Sequence, residues 1–295
     1  MVFRRSSVIT SIVFSKDRPL QLDLCLNSIK TNFINCDQKI VLHNNSELCS
    51  EISKTLESEH PDVEFWQQGR SIYKDLLHAV ASADNDYVCF FTDDCIFFSK
   101  FEMDHFDFWG DDVLTMSLRM GQNIKKRQHT GDWYPDLPTE MWMVKNYNLL
   151  AWPRASSLYG SYWSYALTVD GGIFKKHRMM EMLEELCLLE HLYQSTRNNR
   201  TWHQTPNGVE VALQRFWTSA ESLTISPQTS VVVNSPNNRV QQDIDNSSGE
   251  SHEQSSIDLL DAYLLGSRVD LDLLDFRNIE CPHTEINLLR GCDGI

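Results

Sequence analysis

Asp86-Tyr87-Val88-Cys89-Phe90-Phe91-Thr92-Asp93-Asp94-Cys95-Ile96-Phe97-Phe98 decides how this chain is read. Tyr87 to Phe91 is an unbroken apolar and aromatic run, which predicts a strand buried on both faces, as in a parallel sheet. The run stops at two adjacent carboxylates, and apolar residues resume at Ile96. Carboxylates at the end of a buried strand are costly unless a positive charge meets them. In open α/β sheets, ligands bind outside the carboxyl ends of the strands. A divalent cation held by these oxygens, bridging to a phosphorylated ligand, would offset that cost. A solvated Asp-Asp turn between two strands is the plain alternative.

Upstream, strands and helices alternate. Val8 to Phe14 is β-branched and reads as a strand. Ser15-Lys16-Asp17-Arg18-Pro19 is a turn, with Pro19 suited to a first helical position, and the helix runs to about Asn32. Lys39 to His43 is a second strand, closed by Asn44-Asn45. Ser46 is placed to cap a helix carrying Ile52 and Leu56. Val63 to Trp66 is a third strand, and Ile72, Leu76, Leu77 and Val80 space a third helix. The order β-α-β-α-β-α-β predicts a parallel sheet with helical crossovers.

Downstream the pattern loosens. Residues 99–110 read as a loop or short helix, and Val113 to Leu118 as a strand. Residues 121–163 read as irregular, with Trp133, Tyr134, Trp142, Tyr147, Trp152, Tyr159, Tyr162 and Trp163 either stacking on sugar faces or anchoring a long loop. Ser164 to Val169 reads as a strand running into Asp170-Gly171-Gly172. Helices follow at Met179 to Tyr193 and Val209 to Trp217, then a strand at Thr229 to Val233. The polar segment 234–256 reads as a mobile lid or a disordered linker. A short helix at 257–264 ends at Gly266.

The totals suit a globular protein. The chain has 295 residues, 41% of them hydrophobic, with 14 Phe and 8 Trp, enough for one large α/β domain or two modest ones. A net charge of −15 repels phosphate backbones, which argues against nucleic-acid binding. The eight cysteines show no CxxC pair and no zinc spacing, and several lie in apolar runs. That usage predicts a reducing, cytosolic setting. The apolar run after Arg4-Arg5 is too short for a leader or a membrane span.

Together these stretches resemble the nucleotide-sugar glycosyltransferases of GT-A fold, in the style of family 2 and its viral and bacterial relatives. The resemblance covers nearly the whole chain. It implies a Rossmann-like α/β fold: a central, mostly parallel sheet, flanking helices and a C-terminal tail packed back on the site. Residues 1–110 would be the nucleotide-binding half, 111–233 the acceptor and sugar-binding half, and 234–295 a linker and tail. Ser15, Lys16, Asp17 and Arg18 would cradle the nucleotide, with Asn44 beside them. Phe91-Thr92-Asp93-Asp94 resembles the DxD-type motif, with Asp93 toward the donor ribose or sugar, Asp94 as main metal ligand, and Thr92 where an acid is commoner. Gly171 and Gly172 would floor the sugar pocket. Glu210, by its spacing to Leu213 and Arg215, falls where the family has its general base, although Val209 replaces the first acid of that motif; Asp170 is the runner-up base. His283 resembles the histidine that completes the metal shell.

The implied activity is a metal-dependent hexosyl transfer, with Mn2+ or Mg2+. A UDP- or GDP-sugar would be the donor, and a hydroxyl on a glycan or glycoconjugate the acceptor. Two alternatives stay open. A sugar-phosphate nucleotidyltransferase would want a glycine-rich phosphate loop after the first strand, which Ser15-Lys16-Asp17-Arg18 lacks. A non-catalytic nucleotide- or sugar-binding protein could keep the same fold. Glu210 also suits a helix first turn on dipole grounds alone.

Overall fold

The computed structural model describes residues 9–102, 109–126, 137–144, 146–158, 160–196, 205–217, 219, 221–240, 248–249 and 251–292. Strand β1 (Ile9–Ser15) leads through helix α1 (Pro19–Asn32) to β2 (Gln38–His43), α2 (Glu47–Glu59), β3 (Glu64–Gln67), α3 (Ile72–Ser82) and β4 (Tyr87–Thr92). Then come β5 (Cys95–Phe97), β6 (Val113–Ser117), β7 (Trp142–Val144), β8 (Leu149–Pro153) and β9 (Gly172–Lys175). Helices α4 (Lys176–Thr196) and α5 (Pro206–Trp217), strands β10 (Leu223–Pro227) and β11 (Val232–Asn234), and helix α6 (Ser256–Leu264) complete the elements.

Nine strands form one sheet in the order β3-β2-β1-β4-β9-β6-β10-β8-β7. The first four are mutually parallel. β9 runs against both β4 and β6, and β8 against both β10 and β7, so the sheet is mixed but mostly in one direction. β5 and β11 pair separately, antiparallel.

Alternation along the central strands explains why helices cover both faces. In β1, Ile9 and Val13 join the core under α1, α2 and α6, while Ile12 and Phe14 join the core under α3, α4 and α5. In β4, Cys89 and Phe91 face the first core, and Val88 and Phe90 the second. Each of these aromatic rings, fully buried, contributes about 1.5–3 kcal/mol of transfer free energy. The period-2 alternation of an all-apolar run is what a strand covered on both faces requires.

Several expectations change downstream of β4. Ser164 to Val169 is not a strand; the strand starts at Gly172. Side chains take up the backbone of this stretch instead, with the Val169 amide donating to Glu210 and the Asp170 amide to Thr168. The irregular stretch 121–163 holds two strands, β7 and β8, joined by a turn in which Asn146 and Asn148 adopt left-handed φ angles of 74° and 53°. Asn tolerates that region better than most residues, and the Asn-Tyr-Asn run was the available signal. β10 had no reading from sequence, yet it lies between β6 and β8. Ser46 stands at the N-cap of α2 without a side-chain capping bond. Trp152 and Trp163 are buried anchors, their rings edge-to-face at 5.0 Å, whereas Trp142 and Tyr147 are exposed. Trp133, Tyr134 and Tyr159 lie outside the described residues.

Segment 234–256 is anchored where it is described. Asn237 is buried and donates to Gln254 and to the Ile286 carbonyl. The tail does return to the sheet. Asn234 donates its amide to the Pro282 carbonyl, and the Thr284 amide donates back to Asn234. Helix α6 packs on α1, fastened by Arg268, which pairs with Glu59 at 2.6 Å and lies 3.9 Å above the Tyr263 ring. Among the described residues no helix is long and apolar enough to cross a membrane.

Candidate active site

The register of the central strands assembles the site. Phe14 lies opposite Thr92, so β1 and β4 end side by side. The Asp93 amide donates to the Phe14 carbonyl, and its buried carboxylate accepts from the Ser15 hydroxyl at 2.9 Å and the Lys16 amide at 3.1 Å. Arg18 forms a fork across both acids, pairing with Asp93 and, at 2.9 Å, with Asp94. The positive charge that the acidic pair demands is therefore supplied by the chain itself. Burial pushes the Asp93 carboxyl up to about 6 against the opposing pull of Arg18, with Asp94 adding to the rise. Burial alone would lower the Arg18 guanidinium, but the two carboxylates outweigh it and hold it above its ordinary value.

The rest of the Ser15–Arg18 turn is braced from the residues that follow β2. Asp17 has φ of 53°; its amide donates to the Asn45 side chain, and its carboxylate accepts from the Ser46 amide. Asn44 meets the turn only through its backbone, donating to the Ser15 carbonyl, and Lys16 is exposed. The side chain that braces the turn is thus Asn45.

The antiparallel β4–β9 pairing brings the second group of acids to the first. The Gly171 amide donates to the Phe90 carbonyl at 2.7 Å, and the Leu118 amide to the Gly171 carbonyl at 2.8 Å. Gly171 has φ of 81°, a conformation that a side chain would strain. Asp170 thereby stands beside the end of β4, and Arg119 beside Asp170. Thr92 donates to Asp94 at 2.7 Å and also lies 3.0 Å from Asp170. Buried Arg119 donates to Asp170 at 3.0 Å and to His283 Nε2 at 2.9 Å. His283 Nδ1 lies 3.2 Å from Asn234 Oδ1, and Asn234 Nδ2 donates to Asp94 at 2.7 Å. The chain of contacts closes on itself: Asp94, Thr92, Asp170, Arg119, His283, Asn234 and back to Asp94.

Glu210, in the first turns of α5, accepts from the Val169 amide at 3.0 Å, next to Asp170. Burial raises its carboxyl to about 7, Asp170 adds to the rise, and Arg119 opposes it. Tyr165, hydrogen-bonded to Glu210, is raised above its ordinary range, first by burial and then by the Glu210 charge. Thr92, Asp94, Asp170, Glu210, Tyr165 and His283 are partly buried, the Asp94 and Asp170 side chains only 10% and 13% exposed, over a floor of buried Asp93 and Arg119.

Asp93, Asp94, Asp170, Arg18, Glu210 and His283 are thus brought into one contiguous cluster. Arg119, Asn234 and Thr92 as the link between two acids were not foreseen. Thr92 stands where the resemblance would put an acid; here a third carboxylate between Asp94 and Asp170 would add like charge, whereas the hydroxyl bonds to them. The metal pair expected at Asp94 and His283 does not fit this arrangement. Both ring nitrogens of His283 are engaged, both oxygens of Asp94 already accept from side chains, and Arg18 and Arg119 supply the countercharge. Among the described residues no group of three or more His, Cys, Asp or Glu is placed to hold a metal ion.

No protein-family model matches the chain, and no curated protein matches it. Solved structures do show similarity. TarS of S. aureus aligns with 59% of this chain and 29% of its own, at 13% identity and a TM-score of 0.38. The mannosyltransferase PcManGT of Pyrobaculum calidifontis, in complex with GDP-Man and Mn2+, aligns with 63% of this chain and 50% of its own, at 14% identity and a TM-score of 0.34. Glucosyl-3-phosphoglycerate synthase of Mycobacterium tuberculosis, with Mn2+ and UDP-Glc, aligns with 38% of this chain and 43% of its own, at 16% identity and a TM-score of 0.27. The chain therefore spans half or less of each of these proteins. Two of these structures are named as a mannosyltransferase and a glucosyl-3-phosphoglycerate synthase; this chain has a mixed α/β fold around a large, mostly parallel sheet.

Proposed function

We propose that this chain transfers a sugar from a nucleotide-sugar donor to a hydroxyl acceptor. The observation that carries the reading is Glu210: a partly buried carboxylate raised to about 7, beside Asp170, near the carboxyl ends of the parallel strands. A general base works best with a pKa near the working pH. The donor diphosphate lies toward the Ser15–Arg18 turn, where exposed Lys16 faces it, and Asp93 orients that turn from below. Gly171 and Gly172 do not floor an open pocket: they are buried, and a Cβ would meet Val232 and Phe91 at Gly171 and Phe174 at Gly172, so their part is to carry the turn that places Asp170. The acceptor hydroxyl approaches from the α5 side. In an inverting transfer Glu210 takes the hydroxyl proton as the oxygen attacks the anomeric carbon, and the bond to the diphosphate breaks, with its electron pair leaving on the diphosphate. Asp170, held by Arg119 and Thr92, keeps negative charge beside Glu210 and so keeps its carboxyl basic.

Manganese or magnesium, when bound to such an enzyme, offsets charge on the departing diphosphate. The Asp94 and His283 side chains do not offer it a site, being already engaged by Arg18, Thr92, Asn234 and Arg119. UDP-glucose and GDP-mannose, named in two of the solved structures above, are the first donors to try. The test is thermal shift against a panel of nucleotide sugars, followed by donor hydrolysis and transfer with and without Mn2+. A donor that binds only the folded chain raises Tm by linkage. Absence of both a shift and turnover across UDP- and GDP-sugars overturns the reading.

A further inference from the structure

His283 comes to the site from the far end of the chain, and its surroundings specify its protonation pattern. A guanidinium can only donate hydrogen bonds. With Arg119 Nη1 2.9 Å away, His283 Nε2 therefore presents its lone pair to Arg119. A neutral imidazole then carries its proton on Nδ1, which donates to Asn234 Oδ1 at 3.2 Å. The Asn234 amide is oriented independently, because its Nδ2 donates to Asp94 at 2.7 Å and to Thr92 at 3.0 Å. The backbone on both sides of the contact is also tied, through the Asn234–Pro282 and Thr284–Asn234 hydrogen bonds. The Tyr162 ring lies 5.4 Å from the imidazole, centroid to centroid.

A metal ligand needs an imidazole lone pair, and the one this ring has is directed at Arg119. Arg119 in turn is buried and divides its Nη1 between His283 and Asp170. We infer that His283 and Arg119 are positioning residues: a neutral imidazole bridges the Asn234 amide to the Arg119 guanidinium, and this bridge, rather than a divalent cation, ties the tail to Asp170. The tail thus reports its docking to the acid beside Glu210. The inference deepens the glycosyl-transfer reading and rests on it only for the activity measurement.

The test begins with nitrogen NMR of the histidine side chains, with His283 assigned by its absence in His283→Gln. The wild-type ring should be neutral with its proton on Nδ1, and should stay so when Mg2+ and UDP or GDP are added. In Arg119→Lys, which keeps the charge but loses the fork, the proton should redistribute toward Nε2. Electron paramagnetic resonance titration of Mn2+ with UDP should give the same affinity for wild type and His283→Ala. His283→Ala should lower kcat about 10²-fold through misplacement of Asp170, while His283→Gln, which keeps a donor and an acceptor, should retain most of it. A wild-type ring protonated on Nε2, a metal-induced shift of a His283 nitrogen, or loss of Mn2+ affinity in His283→Ala overturns the inference. The tautomer and metal measurements need no sugar donor, so a failed glycosyl-transfer reading would leave them standing and be recognised separately.

Discussion

Strands β3, β2, β1 and β4 run parallel and are joined by helices in chain order, whereas beyond β4 the sheet changes direction and takes its strands out of order. In the first region each site residue sits at the end of the strand that carries it: Ser15 to Arg18 after β1, and Asp93 and Asp94 after β4. In the second region the site residues are contributed by a turn before β9, a helix, β11 and the tail, and only their mutual contacts hold them together. The first region therefore stores its charge in one buried cluster, Arg18 with Asp93 and Asp94, across the ends of the adjacent parallel strands β1 and β4. The second stores it in a ring that spans most of the chain.

The largest expected effect breaks the chemistry of the second region alone. Glu210→Gln should lower kcat by about 10²–10⁴-fold, with donor affinity nearly kept, as measured by steady-state kinetics and calorimetry. Near-normal turnover would move the base to Asp170.

The next largest separates the two regions by stability. Arg18→Met leaves Asp93 buried beside Asp94 without its countercharge, and should cost about 3–5 kcal/mol in urea unfolding. Combining it with Asp93→Asn should restore part of that loss, since the uncompensated charge is what costs most. A full loss in the double variant would mean the fork acts through packing.

A pH comparison sharpens the contrast. The Glu210 carboxyl sits at about 7 in the fold against an ordinary 4.5, so the folded form binds the proton more tightly. Its contribution is present below the ordinary value, declines as pH rises toward about 7, and is flat above. Glu210→Gln should therefore gain stability relative to wild type across that window. Turnover of the wild type should rise through the same region as the base ionises. A stability difference that does not change with pH would contradict the raised value.

The smallest effect concerns the anchor of the tail. Arg268 and Glu59 are about a third exposed, so solvent screens their pair. Arg268→Ala should cost only about 0.5–1 kcal/mol globally, while hydrogen exchange at α6 and at 281–286 speeds up. Unchanged exchange at the tail would show that its docking relies on Asn234 and the apolar contacts of Leu259 instead.

Legibility followed the same division. The alternation in Ile9–Ser15 and the all-apolar run at Tyr87–Phe91 are local signals of doubly covered strands, and the elements built on them match closely. Ser164 to Val169 has the same apolar look, yet the hydrogen bonds that keep it from forming a strand come from Glu210 and Thr168 side chains. β10 escaped because five residues ending in Pro resemble a loop until β6 and β8 flank them.

The sequence by itself determined that a parallel β-α-β frame would end in an unusually acidic turn, because period, β-branching and an acidic break are written in neighbouring residues. It also marked Asp170, Glu210 and His283, through a resemblance to a known family. The tertiary structure alone decided what neutralises those acids. Arg119 stands in Met-Ser-Leu-Arg-Met-Gly, which reads as a strand running into a loop, and nothing nearby signals a partner. Only the β6–β9–β4 register puts its guanidinium beside Asp170 and, through the returning tail, against His283. Coulomb energy depends on distance in space, and the distances that matter here are set by strand pairing between segments far apart in the chain.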